Sequence, residues 1–168
     1  MSPHATVLTA VVLGTVLAAA VDLRTRRVPN AITMSLAASG VLIAAAGLGR
    51  VGPIASILGL GLGVALMLPG HLFGGTGAGD VKLFGAVGAL LGPAGILSAF
   101  MYTAIAGGVL AVVIAIRRGR ARQTMTGAAR FVTSGAANRN VVEHPTANNR
   151  FAYAPAIAIG AVLAALVQ

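Results

Sequence analysis

Only three carboxylates occur in the 168 residues of this chain: Asp22, Asp80 and Glu143. Asp22 closes a first apolar stretch, and Asp80, 58 positions later, opens a fourth within "GHLFGGTGAGDVK". Taken singly, each has a simple structural reason. A terminal Asp marks the water boundary of an apolar helix, since an Asp at a helix centre costs roughly 2.5–3.5 kcal/mol on insertion and less near the interface. At a helix start, Asp80 is also a favourable N-cap or first-turn acid, stabilising by up to about 1 kcal/mol. As a pair they can do chemistry. Two carboxyls brought together do not both ionise readily and share a proton over a wide pH range. The ionised member then takes a proton from water while the protonated member polarises a scissile carbonyl, the division of labour of an acid pair that hydrolyses peptide bonds.

Other chemistries lack their residues. The chain has no Cys, which removes disulfides, thiolate zinc sites and thiol nucleophiles together. His4, His71 and His144 are scattered, and neither H-E-x-x-H nor G-x-S-x-G occurs. In "GGTGAGDVK", Asp-Val separates Gly79 from Lys82 where a P-loop requires Gly-Lys, and the dinucleotide fingerprint fails at the same place. No cofactor and no metal are expected. The net charge of +9, from 11 Arg and one Lys, would suggest nucleic acid in a soluble protein. Here most basic residues fall between apolar runs, and two Tyr without Trp supply no stacking platform. Nucleic acid is therefore excluded as a partner, and anionic lipid headgroups are expected instead.

The elements that must position the acids follow from composition. Apolar residues make up 57% of the chain, charged residues 9%, and the mean hydropathy is +0.92. A soluble domain carries roughly 25% charged residues. Apolar segments at about 3–21, 31–49, 51–69, 80–97, 99–116 and 151–168 are hydrophobic all round, as helices among lipid and one another are. The expectation is an all-α polytopic membrane protein of about six transmembrane helices, one membrane-embedded domain over 1–168. Between the segments lie "DLRTRRVPN" (22–30), a short turn near Arg50, the glycine-rich "GHLFGGTGAG" (70–79), a tight "GPAG" turn (92–95) and a basic, polar loop at about 117–150. The connections after helices one, three and five hold eleven of the twelve Lys and Arg, and the other side holds only Arg50. That asymmetry places these three connections in the cytoplasm and the N-terminus outside. Both aspartates then face the cytoplasm from the inner membrane. The first segment is read as a retained helix, because it lacks the Lys or Arg of a signal peptide n-region. Gly59 with Gly63, and Gly88 with Gly92, have G-x-x-x-G spacing compatible with close helix packing.

At the two acid segments a resemblance becomes specific. "GAGDVKLFGAVGALLG" resembles the G-x-G-D-x-K signature of type IV prepilin peptidases, intramembrane aspartic proteases that remove prepilin leader peptides. "DLRTRRVPNAIT" resembles the other catalytic segment of that family, and "FAYAPAIAIGAVLA" its last helix, with an aromatic and a Pro before a small-residue stretch. The resemblance implies that Asp22 and Asp80 are the catalytic pair, that Gly77 and Gly79 shape the loop before Asp80, and that Lys82 tunes the local pKa or contacts substrate. Glycine permits the backbone conformations and close approaches such a loop needs. Pro29 and Asn30 are expected to start the second helix, and Arg24, Arg26 and Arg27 to set topology. The implied substrate is a prepilin or pseudopilin with a hydrophobic helix. Larger members carry an additional Cys-containing cytoplasmic segment near the N-terminus and also methylate the new pilin end. This chain has no Cys, so methylation is not expected, and the short members serving Tad/Flp-type pili are the nearer resemblance.

Two other readings of the same acids stand beside this one. A small transporter or proton channel also keeps intramembrane carboxylates, but nearer the midplane than helix ends. A presenilin-type protease shares G-x-G-D but implies a different context around the first Asp.

Overall fold

Helices in lipid gain little from hiding large apolar side chains, so they associate through small residues that let backbones approach. The computed structural model describes residues 2–73, 75–117 and 153–168. The described chain forms α1 (Pro3–Thr25), α2 (Asn30–Ala45), α3 (Pro53–Leu72), α4 (Ala78–Arg117) and α5 (Ala154–Val167). The basic loop expected at about 117–150, with Glu143 and His144, lies outside the described residues from position 118 onward. Residues up to Gly107 together with α5 belong to one compact unit, and Gly108–Arg117 belongs to a second. The site lies wholly within the first.

α1, α3 and the run Ala78–Ile114 are long and apolar enough to cross a membrane. α2 and α5 are shorter apolar helices of 16 and 14 residues, spanning about 24 and 21 Å at 1.5 Å per residue. α2 was expected to run to position 49 and stops four residues earlier for a local reason. Gly47 turns left-handed at φ 68°, its N–H donates to Ala44 O (3.2 Å), and the Leu48 N–H donates to Ile43 O (3.0 Å). These two bonds form a Schellman motif, which satisfies carbonyls that the helix end would leave open.

α4 is two limbs. Gly92 has φ 71° and ψ −176°, outside the helical region, and Pro93 follows it. Pro supplies no N–H and disfavours helical geometry in the residue before it, while Gly tolerates the positive φ that results. The chain folds back there. Phe84 and Phe100 have ring centroids 6.2 Å apart in an edge-to-face contact, whereas a straight helix would separate residues so spaced by about 24 Å. The two helices expected at 80–97 and 99–116 are thus present, with the break at Gly92 and the second limb beginning earlier than hydropathy suggested.

The first limb is the centre of the bundle: every residue from Leu83 to Gly92 is buried. Its neighbours each turn one narrow stripe inward: Thr33, Leu36, Gly40 and Ala44 on α2, Ser56, Gly59, Gly63 and Met67 on α3. The G-x-x-x-G spacings prove to be partners. A side chain at Gly59 would strike Gly88 O and stand 2.7 Å from Gly92 Cα, and one at Gly63 would stand 2.7 Å from Phe84 O. Ser56 Oγ donates to Ala89 O across the same seam at 2.7 Å. Large apolar residues such as Leu13, Leu17, Ile54, Leu58 and Leu163 point outward, an arrangement that suits lipid rather than water.

Candidate active site

The inward stripe of α1 is Val7, Val11, Thr15, Ala18 and Asp22, at helical spacings of three and four. Asp22 is therefore in register with the packed face, and α1 continues one turn beyond it to Thr25 instead of ending there. Only 4% of Asp22 is exposed, and its Oδ2 accepts a hydrogen bond from the Ala154 N–H at 3.3 Å. The carboxylate thus meets the N-terminus of α5, where a helix leaves backbone donors open and favours negative charge. The chain leaves α1 through Arg26 in a left-handed conformation (φ 52°, ψ 33°), and the Arg26 N–H donates to Asp22 O at 2.7 Å. For a residue with a side chain that conformation costs about 1–2 kcal/mol. Thr25 Oγ1 steadies the turn by donating to Val21 O (2.9 Å) and reaching Arg27 O (3.0 Å).

Asp80 lies in the first turn of α4 and is 6% exposed. Its Oδ2 accepts from the Gly77 N–H at 3.0 Å, while its own N–H donates to Gly77 O at 3.0 Å. This exchange is the acidic half of a capping box. The preceding loop is tied back as well: Gly75 and Thr76 N–H donate to Gly70 O, and His71 Nδ1 lies 2.9 Å from Thr76 O. Gly79 serves contact. A Cβ there would stand 3.0 Å from Val28 Cβ and 3.1 Å from Val28 O, so the missing side chain lets the Asp80 turn lie against the hinge that follows Asp22. At Gly77 a Cβ would stand 3.1 Å from Asp80 Oδ2, crowding the cap.

The structure brings both aspartates to one end of the bundle, with Gly79, beside Asp80, packed against Val28 in the hinge that follows Asp22. Lys82 is exposed, and its Nζ donates to Asn30 Oδ1 at 2.9 Å. Pro29 caps α2 and Asn30 begins it, so the Lys82–Asn30 bond ties the start of α2 to the start of α4. Arg24, Arg26 and Arg27 are exposed around the same hinge. At the other end Arg50 reaches His4 Nδ1 (2.9 Å) and donates to Gln168 O. Among the described residues no three His, Cys, Asp or Glu side chains gather as a metal site would require.

Sequence reasoning did not find Val28, Tyr153 or Ala154 as parts of this region. The one available signal was the Tyr and Pro before the last apolar segment, and its partner lies 132 positions away in the chain.

An all-helical bundle with, among the described residues, three helices long and apolar enough to cross a membrane narrows the class to membrane proteins. Residues 9–112 match the type IV leader peptidase family, and the chain belongs to that family. The matched region contains both Asp22 and Asp80 and stops short of α5. Membership carries a leader-peptidase-type function with prepilin-like substrates. Comparison with curated proteins and with solved structures gave no significant match.

Proposed function

We propose that this protein is an aspartic endopeptidase of the inner membrane that removes the leader peptide from type IV prepilin-like precursors. Asp22 and Asp80 are its catalytic pair. One observation carries the reading: the two acids, far apart in sequence, are both buried at the same end of the bundle, where the Asp80 turn packs through Gly79 against Val28 in the hinge that follows Asp22. A buried acid within an apolar bundle costs several kcal/mol unless it is compensated, so its retention calls for a function.

In the proposed reaction the ionised aspartate takes a proton from water as the water oxygen bonds to the scissile carbonyl carbon. The protonated aspartate meanwhile donates a hydrogen bond to the carbonyl oxygen. Collapse of the tetrahedral intermediate breaks the C–N bond, the leaving amine takes up the proton, and a new carboxyl group remains on the leader. The six helical segments would cross the membrane with the N-terminus outside and the acids at the cytoplasmic face, as the distribution of basic residues favours. A substrate helix lying beside the bundle in lipid would present its leader junction there. Lys82 and the Gly77–Gly79 turn would hold the Asp80 side of the site in place. Methylation of the product is not proposed, and a Tad/Flp-type pilin precursor is the proposed substrate class.

The test is processing of a co-expressed prepilin by Asp22→Asn and Asp80→Asn variants, with membrane insertion measured in parallel. Each variant is expected to insert normally and leave the precursor intact. Maturation by either single variant sinks the assignment.

A further inference from the structure

Helices α1 and α2 leave an open groove between them. Ala10, Gly14 and Leu17 of α1 and Ala31, Ser35 and Leu36 of α2 line a cavity of about 410 Å³, within the range of small-molecule sites, roughly 300–1,000 Å³. Its floor is the crossing of the two helices, where a Cβ at Gly14 would strike the Leu36 side chain. The lining carries one polar side chain, that of Ser35, so a hydrocarbon chain fills it without stranding polar groups.

At one end, the walls of the groove are joined by the hinge that follows Asp22. Arg24, in the last turn of α1, and Arg27, in the hinge itself, are both exposed. Among the described residues neither guanidinium has a hydrogen-bond or ion-pair partner. Arg24 also continues the groove face of α1: Ala10, Leu17 and Arg24 follow one another at intervals of seven residues, about two helical turns, and so lie in line. From Ala10 to Arg24 is 14 residues, about 21 Å at 1.5 Å per residue. That length matches one leaflet with its headgroups, about half of a 40–45 Å bilayer.

We infer that this groove binds one anionic phospholipid, with an acyl chain between α1 and α2 and the phosphate at Arg24 and Arg27. Charge selects this occupant. An apolar helix of another protein, or of a second copy, would fill the hydrocarbon part and leave both guanidinium groups unused. A phosphate matches them in charge and in hydrogen-bonding geometry. The bound lipid joins the end of α1 to the start of α2 across the hinge whose Val28 supports Gly79. Its binding requires no chemistry from Asp22 or Asp80.

The test is native mass spectrometry of the purified full-length protein in detergent, titrated with phosphatidylglycerol or with phosphatidylcholine of the same chains. One phosphatidylglycerol is expected to stay bound at concentrations where phosphatidylcholine does not. Arg24→Gln should weaken phosphatidylglycerol binding about fivefold, the contribution of one basic residue near an anionic headgroup. Arg50→Gln, the same loss of charge at the other end of the bundle, should leave it unchanged. Ser35→Phe and, independently, Ala31→Phe fill the groove from exposed positions and should each weaken it as well. Equal retention of the two lipids, or equal losses in Arg24→Gln and Arg50→Gln, overturns the inference, because the attraction is then not centred on the hinge. Phosphatidylglycerol binding unchanged in both groove-filling variants overturns it too. If those variants instead abolish a dimer or raise KM for a prepilin while lipid binding persists, the groove belongs to a second copy or to the substrate helix.

Discussion

The two limbs of α4 have much the same apolar composition and entirely different surroundings. Before Gly92, every residue from Leu83 onward is buried. After it, Gly95, Ile96, Ala99, Thr103 and Gly107 form one buried stripe, while Leu97, Met101 and Ile105 face outward. In water, hydropathy would separate a central helix from a peripheral one. In lipid it does not, because lipid and protein interior are equally apolar, and what distinguishes the central limb is its small residues at the seams. The first limb also carries Asp80 and Lys82, so the most tightly held helix is the one that bears the proposed chemistry. Rigid support of this kind is what a reacting carboxylate needs, since small displacements of catalytic groups are costly.

Five substitutions test this contrast. The largest effect is expected from Asp80→Asn in the central limb, a loss of about 10²–10⁴-fold in processing rate, read by the precursor-to-product ratio with insertion unchanged. Next comes Gly88→Val. Its side chain would meet Gly59 C at 2.6 Å and the Gly59 carbonyl more closely still. Backbone on both sides blocks relief, so a destabilisation of about 3 kcal/mol or more is expected, seen as loss of folded protein in detergent. If Gly88→Val folds and melts like the unaltered protein, the seam does not hold the central limb.

Lys82→Met removes the bond to Asn30 at an exposed site, where a hydrogen bond contributes about 1 kcal/mol. A fall in activity of about fivefold is expected, with Asn30→Ala matching it and the double variant no worse. A loss as large as that of Asp80→Asn would instead assign Lys82 a direct part in the reaction. The smallest effect is reserved for the second limb: Ile105→Ala on its outward face should change stability by no more than about 0.5 kcal/mol. A large effect there would mean that this face is covered by protein.

What was legible in the sequence followed from local rules. Asp80 as a first-turn acid, Pro29 and Asn30 as the entry to α2, and a break at "GPAG" all depend on residues within a few positions of one another. The segment bounds were less visible, because hydropathy runs unbroken through Gly92 and Pro93 and carried the fourth segment on to position 97. The register of α1 was not read, although it was present: spacings from Val7 to Asp22 put the acid on the packed stripe, but a helix that is apolar all round gives no contrast to reveal that stripe. The glycine spacings were visible without their pairing, since nothing in Gly59 specifies Gly88 rather than another glycine. Least legible were the contacts of Val28 with Gly79, Asn30 with Lys82 and Asp22 with Ala154, which join segments with no shared local pattern.

The hydrogen bonds on the two aspartates also decide which substitution is informative. Each carboxylate has one oxygen engaged by a backbone amide, Ala154 for Asp22 and Gly77 for Asp80, and in the proposed reaction the other oxygen serves water or substrate. The side-chain amide of Asn retains one acceptor oxygen and can keep the structural bond while losing acidity. Alanine removes both. An inactive Ala variant therefore merges a loosened helix start with a missing acid, whereas Asn isolates the acid, and the difference between the two reports how much of each aspartate's task is architectural.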